Sequence, residues 1–205
     1  MKLYTYPGAP NPRRVHIYLA EKGLSVPFER VDIMTRANRT PEFLASVNPL
    51  GGLPVLALDD GTHIAESVAI CRYFEALHPE PSLFGRTPAE IGRIDMWNRR
   101  VELGFMNAVG MVWIHGSPLT KAVVKNQLPE MAEQARALVR QSFAFLDGQL
   151  AGRPFLAGDA YSMADILALT TFDFAGQLNQ LHPEPSQKNL LRWHAEVSAR
   201  PSAKA

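Results

Sequence analysis

The segment PGAPNPRRV, residues 7–15, carries one neutral side-chain donor within a stretch of tightly constrained backbone. It contains three prolines and a glycine, and no Ser, Thr, Tyr or Cys. Pro10 and Pro12 have no N–H group, so Asn11 is the only neutral side chain able to donate a hydrogen bond, beside two arginines. The segment lies between a strand-like run and a helical pattern. Since the start of a helix offers free N–H groups, such a junction is suited to holding a ligand.

A second pair of residues, Glu66 and Ser67, lies at another predicted strand-to-helix junction. A ligand carboxylate could accept hydrogen bonds from the Ser67 backbone N–H and hydroxyl, where the helix dipole also favours negative charge. The Glu66 carboxylate could hold a ligand ammonium, so the pair fits an α-amino acid head group. The alternative is that Ser67 caps the helix and Glu66 complements its dipole.

Other candidate residues lie farther along the chain. Met106, Met111, Trp113 and His115 have helical spacing, which is more typical of core residues than of a ligand pocket. Cys71, in the middle of a predicted helix, is expected to be buried and inert. A single cysteine excludes a disulfide framework and four-cysteine metal sites, and no metal site is predicted.

The composition is that of an ordinary globular protein, with 205 residues, 46% hydrophobic, 20% charged and a net charge of +1. Nucleic acid and anionic membranes are not indicated as partners, because no basic stripe is present. The N-terminus lacks a signal-peptide pattern, and no segment approaches the roughly 18 consecutive apolar residues of a membrane span. We therefore expect a cytoplasmic protein.

Strand and helix signals alternate over the first 80 residues. Asn11 suits an N-cap with Pro12 at the first helical position, and Thr40 with Pro41 gives the same signal for a short helix. A DDG turn separates two strand-like runs as in a hairpin. The predicted order is βαβαββα, with strands at 2–6, 26–33, 54–58 and 62–65 and helices at about 12–22, 40–47 and 66–79.

Strand signals disappear after the proline-rich segment 78–88. Helical patterns cover about 88–114, 121–150, 162–178 and 187–199. We therefore predict an α/β domain at 1–80, a linker at 81–87 and an all-α domain at 88–205. Ser162 and Asp165 have the spacing of a capping box at the start of one of these helices, and we assign them to folding.

Four motifs, in order, give the chain its resemblance to the cytosolic glutathione transferase family over nearly its whole length. They are KLYTYPG…NPRRVHIYLAEKG, NPLGGLPVLALDDG (48–61), ESVAICRYF (66–74) and FLAGDAYSMADI (155–166). The resemblance implies a thioredoxin-like N-terminal domain, glutathione as co-substrate with no cofactor, a homodimer, and an all-α domain that lines the second-substrate pocket. In that pocket it places Met106, Trp113 and His115.

The resemblance also assigns a glutathione site. Glu66 and Ser67 match the Glu-Ser motif that binds the γ-glutamyl end. Leu53-Pro54 matches the family's cis-proline, which would expose the Leu53 N–H and C=O to pair with the ligand. The alternative is a trans proline at the start of an edge strand.

Two glycines, Gly51 and Gly52, depart from the family pattern, because members often have Lys, Gln or His at these positions. Neither glycine can hold the glycine carboxylate of glutathione with a side chain. Asn38, Arg36 and Arg39 are the candidates to replace that contact, and each is equally well explained as part of a solvated loop.

The active-site turn departs from the family as well. Ala9 and Pro10 occupy the positions of the family's catalytic Ser and Cys, and Ala9-Pro10-Asn11 resembles a bacterial Thr-Pro-Asn turn that has lost its Thr. The resemblance to that subgroup implies that the Asn amide donates a hydrogen bond to the sulfur of glutathione. If the Asn11 amide oxygen caps the helix, its nitrogen points away from the helix and can donate to that sulfur. We predict that Asn11 both caps and activates.

One well-aimed hydrogen-bond donor, together with the helix start, is enough to activate the thiol. Lowering a thiol pKa from about 8.5 by two units requires about 2.7 kcal/mol. A charge-assisted hydrogen bond contributes about 1.5–3 kcal/mol and a helix N-terminus about 0.3–1 kcal/mol.

The resemblance implies an enzyme of detoxification that conjugates glutathione to a small hydrophobic electrophile. Two alternatives stay open. One is a glutathione-dependent disulfide reductase or peroxidase, and the other is a non-catalytic protein that binds glutathione or another ligand.

Overall fold

The structure is a computed structural model that describes all 205 residues. It divides into two compact units, Met1–Leu83 with Pro201–Ala205, and Phe84–Arg200. The division at Leu83 falls inside the segment 81–87 that was expected to be a linker, whereas Pro201–Ala205, expected in the all-α domain, lie in the first unit. No helix has both the length and the hydrophobicity needed to cross a membrane.

The first unit is built on a four-stranded mixed sheet in the order β2-β1-β3-β4. Strands β1 and β2 are parallel, and β3 is antiparallel to both β1 and β4. The predicted βαβαββα order and the hairpin are confirmed, although the second strand is shorter than the 26–33 expected. The strands are β1 Lys2–Thr5, β2 Phe28–Arg30, β3 Val55–Ala57 and β4 His63–Ala65.

Three α-helices accompany this sheet, α1 Pro10–Glu21, α2 Pro41–Ser46 and α3 Ser67–Leu77. The Thr40 hydroxyl accepts from the Phe43 N–H at 3.2 Å, so the predicted cap of α2 is confirmed. Short 3₁₀ helices occupy Ala37–Arg39 and Pro201–Lys204. The core between sheet and helices is apolar and closed, with Leu3, Val15, Tyr18, Leu56 and Ile70 at most 1% exposed.

A buried ionic cluster ties the end of the first unit to its helices. The Lys22 ammonium, whose side chain is 0% exposed, contacts the Glu75 carboxylate at 2.5 Å. It also donates to the carbonyls of His78 and Pro81, at 2.8 and 2.6 Å. Glu75 accepts in turn from the Leu83 N–H at 2.9 Å. Because buried charges persist only when paired and hydrogen-bonded, this cluster fixes residues 78–83 against α1 and α3.

The 3₁₀ helix Pro201–Lys204 packs on α1. The Arg13 guanidinium donates to the Ala203 carbonyl at 3.0 Å, and the Ser202 hydroxyl donates to the Glu21 carboxylate. The two contacts lie near opposite ends of α1, so the C-terminal segment runs along that helix.

The second unit is entirely helical, as predicted. Its first long helix continues as α4, a π-helical segment and α5, and the next helix begins only at Pro129 rather than near 121. A residue that precedes proline disfavours helical geometry, and Leu128 is extended (φ −115°, ψ 94°). The elements are α4 Pro88–Arg100, the π segment Val101–Met106, α5 Asn107–Gly116, a 3₁₀ turn Pro118–Thr120, α6 Pro129–Gln149, α7 Met163–Asn179 and α8 Lys188–Ser198.

Helix α7 is the centre of the second unit, with 13 of its residues buried. Its N-terminus carries the predicted capping box of Ser162 and Asp165. The Asp165 carboxylate accepts from the Ser162 N–H and hydroxyl, both at 3.1 Å. The folding role assigned to this pair from the sequence agrees with this arrangement.

Candidate active site

The topology of the sheet brings three loops to one end of the first unit. In the antiparallel pairs, Tyr4 near the end of β1 faces Val55 at the start of β3, and Val55 faces Ala65 at the end of β4. The turn after β1, the segment before β3 and the junction after β4 therefore lie side by side. These loops carry the predicted site residues Ala9 and Asn11, Leu53 and Pro54, and Glu66 and Ser67.

The turn after β1 enters α1 two residues earlier than the sequence indicated. Gly8 has φ +91°, Ala9 is extended at the N-cap, and Pro10 is the first helical residue. The Arg13 N–H closes the first turn on the Ala9 carbonyl at 2.9 Å. The prediction of Asn11 as N-cap is wrong, because Pro10 suits the first helical position as well as Pro12 does, which moves Asn11 to the second position.

Because of this shift, Asn11 no longer caps α1 and instead offers hydrogen-bond donors to a ligand. Pro10 and Pro12 have no N–H, and the Arg13 N–H is already bonded, so the Asn11 N–H is the one free backbone donor of the first turn. The half-buried Asn11 side chain caps nothing and forms no hydrogen bond within the chain. Backbone and side-chain donors of a single residue thus occupy the positive end of α1.

The junction after β4 is strained at Glu66, whose φ of +67° and ψ of 117° are unusual for a residue with a side chain. Such backbone strain is concentrated at functional sites. Glu66 is exposed, whereas Ser67 is the first residue of α3 and only 5% exposed. The Arg14 guanidinium, itself 3% exposed, donates to the Ser67 hydroxyl oxygen at 2.6 Å.

The segment before β3 contains a cis peptide bond between Leu53 and Pro54, as predicted. Leu53 precedes β3, and its N–H and C=O pair with no backbone group of the chain. Pro54 is buried and Leu53 is half-buried. The backbone of Leu53 is therefore open to a strand-like ligand at this end of the sheet.

The loop around Gly51 leaves no room for a side chain at position 51. Gly51 has φ +61°, and a Cβ on it would lie 2.7 Å from the Asn38 carbonyl oxygen and 2.8 Å from Arg39 Nη1. The Asn38 amide donates to the Gly51 carbonyl at 2.7 Å, and Arg39 donates to the Leu50 carbonyl at 2.7 Å. Residues 38 and 39 thus fill the space that a side chain at position 51 would need, and the exposed Arg39 brings a cation to it.

Burial shifts the pKa values of two other ionisable side chains of the first unit, Cys71 and His16, toward their neutral forms. Burial raises the pKa of Cys71, which is 0% exposed, so the expectation of an inert thiol agrees with the structure. Burial lowers the pKa of His16, whose ring bonds the Thr5 hydroxyl at 2.9 Å. Tyr6, which directly precedes the turn, lies under the Arg30 guanidinium at 4.9 Å from its ring centroid.

The three residues proposed for a second-substrate pocket lie in the second unit, and each is half-buried. Met106 accepts from the Thr171 hydroxyl at 3.5 Å, and Trp113 packs edge-on against Phe174 at 5.5 Å. His115 Nδ1 accepts from the N–H of Leu128 at 3.3 Å. Met106 and Trp113 therefore both contact α7 and form one wall of the second unit.

An apolar groove of about 930 Å³ lies on another side of the second unit, and none of those three residues lines it. The groove runs along the π segment and α6. It was not predicted from the sequence, because the break in helical geometry at 101–106 gives no clear sequence signal. Its lining includes Trp97, Leu103, Met111, Met131, Leu138 and Phe145.

The chain matches two family models. The model for the glutathione S-transferase N-terminal domain matches residues 3–82, and the model for the glutathione S-transferase C-terminal domain matches residues 107–201. Glutathione S-transferase 2 of Saccharomyces cerevisiae is 40% identical over 207 residues, which cover 100% of this chain and 88% of the relative.

Solved structures give the same result. A glutathione S-transferase domain-containing protein of Marinobacter aquaeolei VT8 superposes with a TM-score of 0.93 at 41% identity, over 98% of this chain and 99% of the other. Gtt2 of Saccharomyces cerevisiae superposes with a TM-score of 0.93 at 39% identity, over 100% of this chain and 99% of the other.

Proposed function

We propose that this chain, which belongs to the glutathione S-transferase family, conjugates the thiolate of glutathione to a small hydrophobic electrophile. The observation that carries the proposal is the convergence of three loops at one end of the sheet. Those loops present a helix-start donor, an unpaired backbone segment and a carboxylate–hydroxyl pair, which together match the chemistry of a γ-glutamyl tripeptide. The cytoplasmic location and a role in detoxification stay predictions.

Each part of glutathione has a partner in this arrangement. The Glu66 carboxylate holds the γ-glutamyl ammonium, and the Ser67 N–H and hydroxyl hold the adjacent carboxylate at the start of α3. The Leu53 N–H and C=O pair with the cysteinyl backbone as a short added strand. This places the ligand thiol toward the start of α1, beside Ala9 and Asn11.

We assign activation of the thiol to Asn11. Its amide nitrogen and its free backbone N–H both donate at the positive end of α1. One charge-assisted hydrogen bond of about 1.5–3 kcal/mol favours thiolate over thiol enough to lower the pKa of the bound thiol by one to two units. The thiolate sulfur then forms a bond to the electrophilic carbon, and the leaving group departs with the bonding electron pair.

Arg39 is the residue that best replaces the missing side chains at Gly51 and Gly52. The hydrogen bond from the Asn38 amide to the Gly51 carbonyl fixes the loop, and the adjacent guanidinium of Arg39 is exposed and cationic. We therefore refine the assignment of Asn38. It positions the loop, and Arg39 supplies the charge for the glycine carboxylate.

The electrophile is assigned to the wall of Met106 and Trp113, which offers polarisable and aromatic surface, together with His115. We also propose a homodimer, as the resemblance implies. The groove of the second unit supports it, because Leu103, Leu138 and Phe145 in its lining are 58%, 52% and 46% exposed, a large apolar area for a free surface.

Binding and turnover test the proposal together. Glutathione is titrated calorimetrically, and the protein is then assayed with chlorodinitrobenzene and with a disulfide substrate. Conjugation with little disulfide turnover supports the transferase. Dominant disulfide turnover would instead support a reductase, and binding without turnover of either substrate would support a ligand-binding protein.

A further inference from the structure

We propose that Gly110 determines which electrophile the second unit accepts, because its missing side chain leaves a notch between Met106 and Trp113 that admits a flat aromatic ring. The inference rests on the proposed function, since it concerns the wall assigned to the second substrate. It deepens that function by naming the class of electrophile, an aryl compound, and the position that selects it.

Gly110 lies in the interior of α5, between the two residues of the wall. Met106 directly precedes α5, Gly110 follows it by four positions, and Trp113 follows Gly110 by three. Residues three and four apart lie on the same helix face, so the three residues form one line along α5. Met106 contacts Thr171 and Trp113 contacts Phe174, both on α7. The glycine is therefore a gap in the middle of the wall.

Neither the backbone nor the packing of α5 requires a glycine at position 110. The φ angle of Gly110 is not in the left-handed region, so any residue could adopt its conformation. A Cβ on Gly110 would meet no heavy atom within 4 Å outside its own helix backbone and chain neighbours, whereas a Cβ on Gly176 would lie 3.2 Å from the His182 ring. Since glycine within a helix is otherwise unfavourable, the fold gives no reason for the missing side chain at position 110.

The surroundings of Gly110 suit an aromatic ring. Gly110 is half-buried although nothing would contact its Cβ, so the surface there is concave. The thioether of Met106 and the indole of Trp113 flank it, and both groups interact favourably with aromatic rings. Helix α5 contains no Asp, Glu, Lys or Arg. A flat apolar ring would contact both flanking side chains, whereas a compact alkyl group would leave most of the notch empty.

The experiment compares two glutathione conjugates that differ only in the group on the sulfur, S-(2,4-dinitrophenyl)glutathione and S-methylglutathione. Their dissociation constants are measured for the full-length wild type, Gly110→Ala and Gly110→Leu. We expect the wild type to bind the aryl conjugate at least tenfold more tightly. Gly110→Leu should weaken the aryl conjugate by about tenfold or more, as a change of pocket size by a few methylene groups does, and the methyl conjugate by less than twofold. Gly110→Ala should be intermediate.

Gly92→Leu is the matched control. It makes the same substitution at an exposed glycine within α4, where a Cβ would also meet nothing, and it should leave the ratio of the two constants unchanged.

Thermal unfolding of Gly110→Ala separates a ligand role from a backbone role. Because alanine favours the helix more than glycine does, the midpoint of unfolding should rise by about 2–4 °C. A fall in the midpoint would show that the glycine serves the helix itself and would overturn the inference.

The inference would also be overturned if the wild type bound both conjugates equally, if Gly110→Leu weakened both equally, or if Gly92→Leu changed their ratio as strongly. If Gly110→Leu does not fold, Gly110→Ala gives the same comparison. Failure of the wild type to bind S-methylglutathione and glutathione would overturn the proposed function and this inference with it, whereas binding without preference for the aryl group would overturn the inference alone.

Discussion

The indole N–H of Trp193 donates to the carboxylate of Asp165 at 2.9 Å, and both side chains are at most 1% exposed. The same carboxylate accepts from the Leu156 N–H at 3.0 Å. Asp165 therefore joins α8, α7 and the loop that precedes α7. Burial raises the pKa of this carboxyl to about 6, against hydrogen bonds that lower it.

Asp165→Asn should change how stability depends on pH. The carboxyl has a raised pKa in the folded state, so its contribution is fully present below its unfolded pKa of 3.8 and is lost as the pH rises through about 6. The free energy of unfolding of the wild type, relative to the variant, should fall by about 3 kcal/mol between about pH 4 and pH 7. Urea unfolding across this range tests the expectation, and parallel curves for the two proteins would contradict it.

Asn11→Ala should raise the pKa of bound glutathione by one to two units, because the thiolate loses the amide donor while the backbone N–H remains. The ultraviolet absorbance of bound thiolate against pH measures this. At neutral pH, kcat/KM with chlorodinitrobenzene should fall about tenfold or more.

Tyr6→Phe is the matched control for that experiment, because Tyr6 carries the hydroxyl nearest in sequence to the turn. It should leave the thiol pKa unchanged. If Tyr6→Phe raises the pKa and Asn11→Ala does not, the phenol is the activating group and the role of Asn11 is lost.

Ala9→Ser should improve both folding and activity. Position 9 is the N-cap of α1 and has no capping side chain, so a serine hydroxyl can accept from the Asn11 N–H and stabilise the protein by about 0.5–1 kcal/mol. The hydroxyl proton can then donate to the thiolate. Thermal unfolding and kcat/KM at neutral pH measure the two effects. Greater stability with unchanged activity would show that the sulfur lies elsewhere.

Arg39→Gln should raise KM for glutathione by about tenfold and leave kcat nearly unchanged, since it removes binding that ground and transition states share. Arg36→Gln, a change at an exposed arginine three residues earlier, is the control and should alter neither constant. Equal effects of both substitutions would indicate a diffuse electrostatic contribution rather than a specific contact.

Leu138→Glu should convert a dimer into a monomer, because it places a charge among the exposed apolar residues of the groove. Light scattering after size exclusion should show twice the 22.7 kDa chain mass for the wild type and that mass for the variant. Leu119→Glu, at a 69% exposed position outside the groove, should remain dimeric. A monomeric wild type would rule out the homodimer.

Local sequence signals predicted much of the fold because their partners are near in sequence. Thr40 and Ser162 each cap a helix within four residues, and the turn at 59–61 joins strands that pair directly. The start of α1 was missed for a local reason as well. Pro10 and Pro12 both suit the first helical position, and the sequence does not distinguish them.

The remaining features of the site depend on contacts between distant residues. Arg14 and Ser67 are 53 positions apart, and Asn38 and Gly51 are 13 apart. No periodicity or turn signal links such pairs. The sequence indicated Ser67, Gly51 and Asn38, but neither the contact of Arg14 with Ser67 nor the hydrogen bond from Asn38 to the Gly51 carbonyl. The helix expected at 121–150 begins only at Pro129, because apolar spacing persists at 121–128 while Pro129 sets the actual start.

The packing of Pro201–Ala205 against α1 means that the first unit is not a contiguous piece of the chain. Residues 1–83 expressed alone would lack the Ala203 carbonyl that Arg13 bonds and the Ser202 hydroxyl that Glu21 bonds. Domain exchange between relatives should therefore carry both ends of the chain together. An affinity tag fused after Ala205 would sit beside the helix that bears Asn11, whereas a tag in the loop at 121–128 would leave that helix untouched.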